Sequence, residues 1–161
     1  MAVVTLEYLE KHLVPSCAVL VTGGFDPLHY GHVRYFRSAA KLAGEYNLPV
    51  VVGVAPDSYI ARKHPLLQKL EERMEMLDSI RWVDYVVPQQ EETAATVIRA
   101  VRPRIFLKGD DWQQRGLPKI ELDAVNEVGA QIHYVPVHPV SSSDILRSFF
   151  WSYADQMTGR A

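Results

Sequence analysis

Short apolar runs recur along the chain, and each is followed by a stretch in which apolar positions return every three or four residues. The runs Val19–Val21, Val50–Val54, Tyr85–Val87, Ile105–Leu107 and Ile132–Val135 are brief, nearly continuous and rich in β-branched residues, the pattern of strands buried on both faces. Helical spacing fills the intervals near 30–45, 69–81, 92–101 and 118–128, and a last helix is predicted over 142–156. In the second of these, Leu70, Met74 and Leu77 form an apolar stripe while Glu71, Glu72 and Glu75 turn outward. Residues 1–15 read as a short lead-in helix. Glu7, Glu10 and Lys11 interrupt the span Thr5 to Leu13, which excludes a signal peptide or a membrane span there.

Strands alternating with helices imply parallel pairing through right-handed crossovers. The expectation is a single α/β domain over 1–161, a doubly wound, Rossmann-like, five-stranded parallel sheet with helices on both faces. Such sheets bind ligands beyond the carboxyl ends of their strands, where the strand order reverses. The loops that follow strands carry unusual polar chemistry in four of five cases: Gly23 to His32, Asp57 with Arg62-Lys63-His64, Lys108-Gly109-Asp110-Asp111-Trp112, and Ser141-Ser142-Ser143-Asp144. All four fall on one rim.

The first loop is the most specific. Gly23-Gly24-Phe25-Asp26-Pro27-Leu28-His29-Tyr30-Gly31-His32 joins an apolar strand to a helix. Glycines at such a turn let backbone approach a ligand, and the first turn of the helix offers unpaired N–H groups to an anion. His29 and His32, three residues apart, share one helix face. Together these parts make a polyphosphate site with two imidazoles aimed at it. A metal site is the alternative for the pair, but no third ligand at zinc-like spacing is evident. Ser141 to Ser143 with Asp144 form a helix cap, and the same helix start can hold phosphate, with Arg147 one turn in either adding charge or simply solvated. Asp110 and Asp111 either hold a ribose, a base or a cation, or make a plain turn, and Trp112 either covers a ligand or packs in the core. Phe149, Phe150, Trp151 and Tyr153 are expected to seal the core or a dimer contact.

Composition changes this picture little. The 161 residues carry a formal charge of −2, which argues against a general nucleic-acid or membrane coat. The single cysteine, Cys17, cannot form an internal disulfide and is expected to be a buried structural thiol. The cytoplasm is the expected location.

The segment from Gly23 to His32 resembles the Gly-x-Phe-Asp-x-x-His-x-Gly-His signature of the cytidylyltransferase-like nucleotidyltransferases, with Gly23 (or Gly24), Phe25, Asp26, His29, Gly31 and His32 at its fixed positions. Ser79 to Pro88 and Gly109-Asp110-Asp111-Trp112 are similar to segments of glycerol-3-phosphate cytidylyltransferases, and Lys108-Gly109 resembles the Lys-Gly-Gly-Asp loop of heptose-phosphate adenylyltransferases. Ser141 to Arg147 resembles the family's Ser/Thr-rich helix start.

The resemblance implies a nucleotidyltransferase that joins a nucleoside triphosphate, CTP being favoured, to a small phosphorylated polyol or sugar with release of pyrophosphate. An ATP-dependent adenylyltransferase of the heptose-phosphate type and a nucleotide-binding module without turnover are the alternatives. It further implies that His29, His32 and Lys63 are catalytic. Gly23, Gly24, Phe25, Asp26, Gly31, Lys108, Gly109, Asp110, Asp111, Ser141, Ser142, Ser143 and Arg147 would bind the nucleotide. Asp26, Arg73 and Trp112 would face the acceptor, although Arg73 can equally pack among Glu71, Glu72 and Glu75. Mg²⁺ is expected as the partner of the triphosphate, with Asp26 as its ligand, and a homodimer is usual for the family.

Overall fold

The protein is described by a computed structural model over residues 2–136 and 139–159; Val137 and His138, in the last strand-to-helix connection, lie outside the described residues. In chain order the elements are β1 (Ala2–Val3), α1 (Leu6–His12), β2 (Val19–Gly23), α2 (Tyr30–Tyr46), β3 (Val50–Val54), α3 (Asp57–Ala61), α4 (Leu70–Asp78), β4 (Tyr85–Pro88), α5 (Ala95–Val101), β5 (Ile105–Gly109), α6 (Asp111–Arg115), α7 (Lys119–Val128), β6 (Gln131–Val135) and α8 (Ser142–Thr158). All pairings are parallel, in the order β1-β4-β3-β2-β5-β6. From β2 the chain winds outward through β3 to β4, then returns to place β5 against the other side of β2. The order therefore reverses between β2 and β5, and a crevice opens beyond their carboxyl ends.

The sixth strand is β1. The amide N–H of Ala2 donates to the Asp84 carbonyl and that of Val4 to the Val86 carbonyl, so the N-terminus adds an edge to β4 before α1 begins. Two residues carry no periodicity, which is why only the helical part of 1–15 is legible. Thr5 caps that helix by accepting the Tyr8 amide at 3.1 Å.

Alternating strand residues feed two cores, one on each face of the sheet. Leu20, Val51, Val87 and Phe106 pack with Leu6 and Leu9 of α1 and with residues of α5 and α7. Val19, Val21, Val52, Ile105 and Leu107 pack with Phe36, Ala39 and Ala43 of α2 and with Met74 and Leu77 of α4. Cys17 is half-buried rather than buried. The aromatic residues of α8 depart further from expectation. Phe149 is 66% exposed, and Phe150, Trp151 and Tyr153 are exposed as well, so they do not seal this chain's core. No described helix is long and apolar enough to cross a membrane.

Candidate active site

The crevice between β2 and β5 deepens into a cavity of about 450 Å³ lined by the ends of four strands and the starts of α2 and α8. Its floor is the turn after β2. A Cβ on Gly24 would stand 2.4 Å from Ile60 Cδ1, so a larger residue there would have to displace the end of the Ile60 side chain. Phe25 follows with φ at +56°, and its buried ring packs edge-on against His32, centroids 5.1 Å apart, and against Phe36 at 5.3 Å.

His29 is the N-cap of α2. Its Nδ1 accepts the Gly31 amide at 3.0 Å, and its own amide donates to His32 Nδ1 at 3.3 Å. A ring nitrogen that accepts an N–H carries no proton, so the neutral form of each imidazole is protonated at Nε2. The rings lie 3.9 Å apart and both line the cavity, which makes them paired neutral donors. Burial, and then the nearby His29, lower the His32 pKa from 6.5 to about 3. Between those values the unfolded chain binds a proton that the folded chain does not, so stability falls as pH drops from 6.5 toward 3. The expected contribution has a slope of at most about 1.4 kcal/mol per pH unit. Urea midpoints taken from pH 7 to pH 4 should decline more steeply for the wild type than for His32→Gln; parallel curves would show that His32 titrates freely.

Asp26, which lines the cavity, and Arg73, which does not, brace this turn. The two carboxylate oxygens of the buried Asp26 accept the amides of Leu67 and Gln68 at 2.9 and 3.0 Å. That engagement ties the 62–69 loop to the turn. Among the described residues no group of three His, Cys, Asp or Glu side chains is placed to hold a metal ion. Arg73, expected to face the acceptor, is 1% exposed and outside the cavity. It donates to the carbonyls of Gly24 (2.7 Å), Ala55 (2.8 Å) and Gln68 (3.1 Å) and to Asp57 Oδ1 (2.6 Å). It falls on the same helical stripe as Leu70, Met74 and Leu77, a sign visible in the spacing that the surrounding glutamates obscured.

The rim loops bring the remaining candidates together unevenly. Lys63 lines the cavity, exposed, with Nζ donating to Tyr59 Oη at 2.6 Å. Gly23, Gly31, Gly109, Asp111 and Trp112 also line it, whereas Asp110 does not. Trp112 does two jobs: one side packs on the core and the other covers the cavity. Ser141 caps α8 in a reciprocal box with Asp144, whose carboxyl that bonding holds below its ordinary range. Ser142 Oγ donates to the Pro27 carbonyl at 3.0 Å, which docks the start of α8 beside the β2 turn. Ser141, Ser142 and Ser143 all line the cavity, but Arg147 pairs with Asp144 at 3.6 Å outside it.

Lys108, near the end of β5, is 6% exposed and donates to Thr22 Oγ1 at 2.9 Å. Burial holds its pKa below the ordinary lysine range, against the pull of Glu121 and Asp111. Glu121, which no sequence motif marks, is 5% exposed and lines the same wall. Its Oε1 accepts the Ala94 amide at 2.8 Å, and its Oε2 stands 3.8 Å from Lys108 Nζ. Glu121 shares a helix face with Ala124, Val125 and Val128, and a carboxylate in an apolar stripe was the available signal. Thr22, Gln89 and Thr93 complete that wall and carry no local motif.

A family model described as cytidylyltransferase-like matches residues 20–148. The bifunctional protein HldE of Trichlorobacter lovleyi is 30% identical over 143 residues, covering 86% of this chain and 28% of its own length. The bifunctional protein HldE of Coxiella burnetii is 41% identical over 98 residues, covering 59% and 20%. The chain thus spans less than a third of these relatives. The lipopolysaccharide core biosynthesis protein from Thermoplasma volcanium superposes with a TM-score of 0.60 at 25% identity, over 78% of this chain and 98% of that one. Pantothenate synthetase from Thermus thermophilus superposes with a TM-score of 0.57 at 20% identity, over 88% and 66%, which shows a shared fold.

Proposed function

Because the chain belongs to the cytidylyltransferase-like family, we propose that it transfers a nucleotidyl group from a nucleoside triphosphate to a small phosphorylated sugar or polyol. A phosphate oxygen of the acceptor attacks the α-phosphorus in line, the bond from that phosphorus to the β-phosphate bridge breaks, and pyrophosphate leaves. Such transfer depends on positioning and on stabilising charge rather than on covalent catalysis.

The observation that carries this reading is the imidazole pair. Both rings line the cavity, and with both Nδ1 atoms accepting backbone N–H groups the proton of each neutral ring sits on Nε2. His32, held near pKa 3, is a poor base at neutral pH and a good neutral donor. An ionised phosphate nucleophile needs no base, so donors to the transferring and leaving oxygens are what the reaction requires. The start of α8, with its N–H groups behind Ser141, faces the same space and suits the β- and γ-phosphates. Lys63 on the rim would add charge to the leaving group. Mg²⁺ would enter as part of the substrate, bound to the triphosphate.

Two features favour ATP over CTP as donor. Lys108-Gly109 resembles the adenylyltransferase loop, and Val137 to Ser143 stands where cytidylyltransferases spell Arg-Thr-Glu-Gly-Ile-Ser-Thr. Gly109-Asp110-Asp111-Trp112 favours CTP. A sugar acceptor accords with the similarity to a protein of lipopolysaccharide core biosynthesis. Pyrophosphate release measured with Mg-ATP or Mg-CTP against a panel of sugar and polyol phosphates tests the reading. Turnover above background with one pairing is expected. Tight triphosphate binding without release across the whole panel would make the chain a binding module instead.

A further inference from the structure

At the wall of the cavity where β5 meets α7, buried polar atoms lack partners. Glu121 Oε2 is buried and accepts no hydrogen bond, and Thr93 Oγ1 is buried and makes none, although both residues line the cavity. Lys108 has three N–H donors; one goes to Thr22 Oγ1, and Glu121 Oε2 at 3.8 Å is beyond hydrogen-bond reach. Gln89 is anchored through Nε2 on the Gly53 carbonyl and shares the wall. Native proteins seldom leave such groups unpaired without a reason, because each forfeits the solvation that water had given it.

What would satisfy this wall is narrowly defined. A phosphate would meet the Glu121 carboxylate and be repelled. An alkyl group would leave Glu121 Oε2 and Thr93 Oγ1 without a hydrogen bond. A hydroxyl group has both the donor that Glu121 Oε2 lacks and an acceptor for Lys108 Nζ, and a second hydroxyl would pair with Thr93 Oγ1.

We propose that Glu121, Lys108 and Thr93 are specificity determinants that recognise vicinal hydroxyls on the acceptor, so that the acceptor is selected by its hydroxyl pattern as well as by its phosphate. The proposal rests on the nucleotidyl-transfer reading for the identity of the acceptor, and on the wall alone for the chemistry. A site built to bond a hydroxyl rejects the analogue that lacks it far more strongly than a merely apolar pocket rejects a changed shape.

The test compares binding and turnover of a set of aldose 1-phosphates with those of propyl phosphate, followed by calorimetry and by pyrophosphate release. At least one aldose phosphate is expected to bind about tenfold or more tightly than propyl phosphate. Glu121→Gln, which keeps the acceptor for the Ala94 amide, and Thr93→Val should each erase most of that preference while triphosphate affinity is retained. Thermal melts of both variants would report any loss of folding, and the two substitutions lie on different elements. Equal binding of aldose and propyl phosphates by the wild type, or a preference undiminished in folded variants, would overturn the proposal. Preference without pyrophosphate release would leave the wall's chemistry standing and reject the transfer reading; equal release from both kinds of acceptor would do the reverse.

Discussion

Substituting His29 by alanine is expected to lower kcat/KM for pyrophosphate release by about 10²–10³-fold, the loss of roughly 2.7–4 kcal/mol of transition-state stabilisation seen when one preorganised donor is removed from an acyl-transfer site. The same substitution also strips the N-cap from α2, because His29 Nδ1 accepts the Gly31 amide. A lost cap destabilises by about 1 kcal/mol. The two effects separate in His29→Asn. Asparagine places an oxygen where Nδ1 was and restores the cap, but it is too short to present a donor where Nε2 stands. Stability should therefore recover while activity stays low. If His29→Asn retained near wild-type turnover, the ring would be a helix cap and nothing more.

The second large effect is on folding. Arg73→Met should lower the free energy of unfolding by about 3–5 kcal/mol, because each of the three carbonyls left without its donor costs about 1–3 kcal/mol. The comparison is with a total of about 5–15 kcal/mol for an ordinary domain. Three carbonyls and Asp57 lose their donor together, and these belong to the β2 turn, the end of β3, the start of α3 and the loop before α4. Arg73→Lys should recover little, since a single ammonium cannot span the four acceptors that the planar guanidinium reaches. Urea denaturation decides the point. A change in unfolding free energy below about 1 kcal/mol, together with a raised KM for the acceptor, would return Arg73 to the substrate-binding role that the sequence suggested.

The contrast between His29 and Arg73 explains what can be read from the chain. The turn from Gly23 to His32 is legible because its chemistry is local: glycines, cap and paired imidazoles interact within ten residues. The sheet is legible for a similar reason, since strands buried on both faces read as apolar runs, and five of the six were evident. Arg73 and Glu121 are not legible in this way. Each is a charged residue in a buried helical stripe, and its meaning depends on carbonyls, amides and a lysine far away in the chain. The hydrogen bonds of Asp26 were hidden likewise, because its partners, Leu67 and Gln68, lie some forty residues downstream. Arg147 was placed in the site on its distance from the helix start, whereas the direction of its side chain is set by Asp144.

Phe25 has a consequence for how this chain can vary. Its backbone occupies a region that suits glycine, a conformation that holds a non-glycine residue at a penalty of about 1–2 kcal/mol. Its ring is buried beneath His32 and against Phe36, and deleting such a ring from a packed interior costs about 3–5 kcal/mol. The two demands point to different amino acids, and the larger one prevails. No single replacement at position 25 satisfies both. Glycine would relax the main chain and leave the imidazole without its floor, while a smaller side chain would keep the strain and surrender the packing. Position 25 is therefore a local optimum reached by compromise, and mutational drift there is closed in both directions.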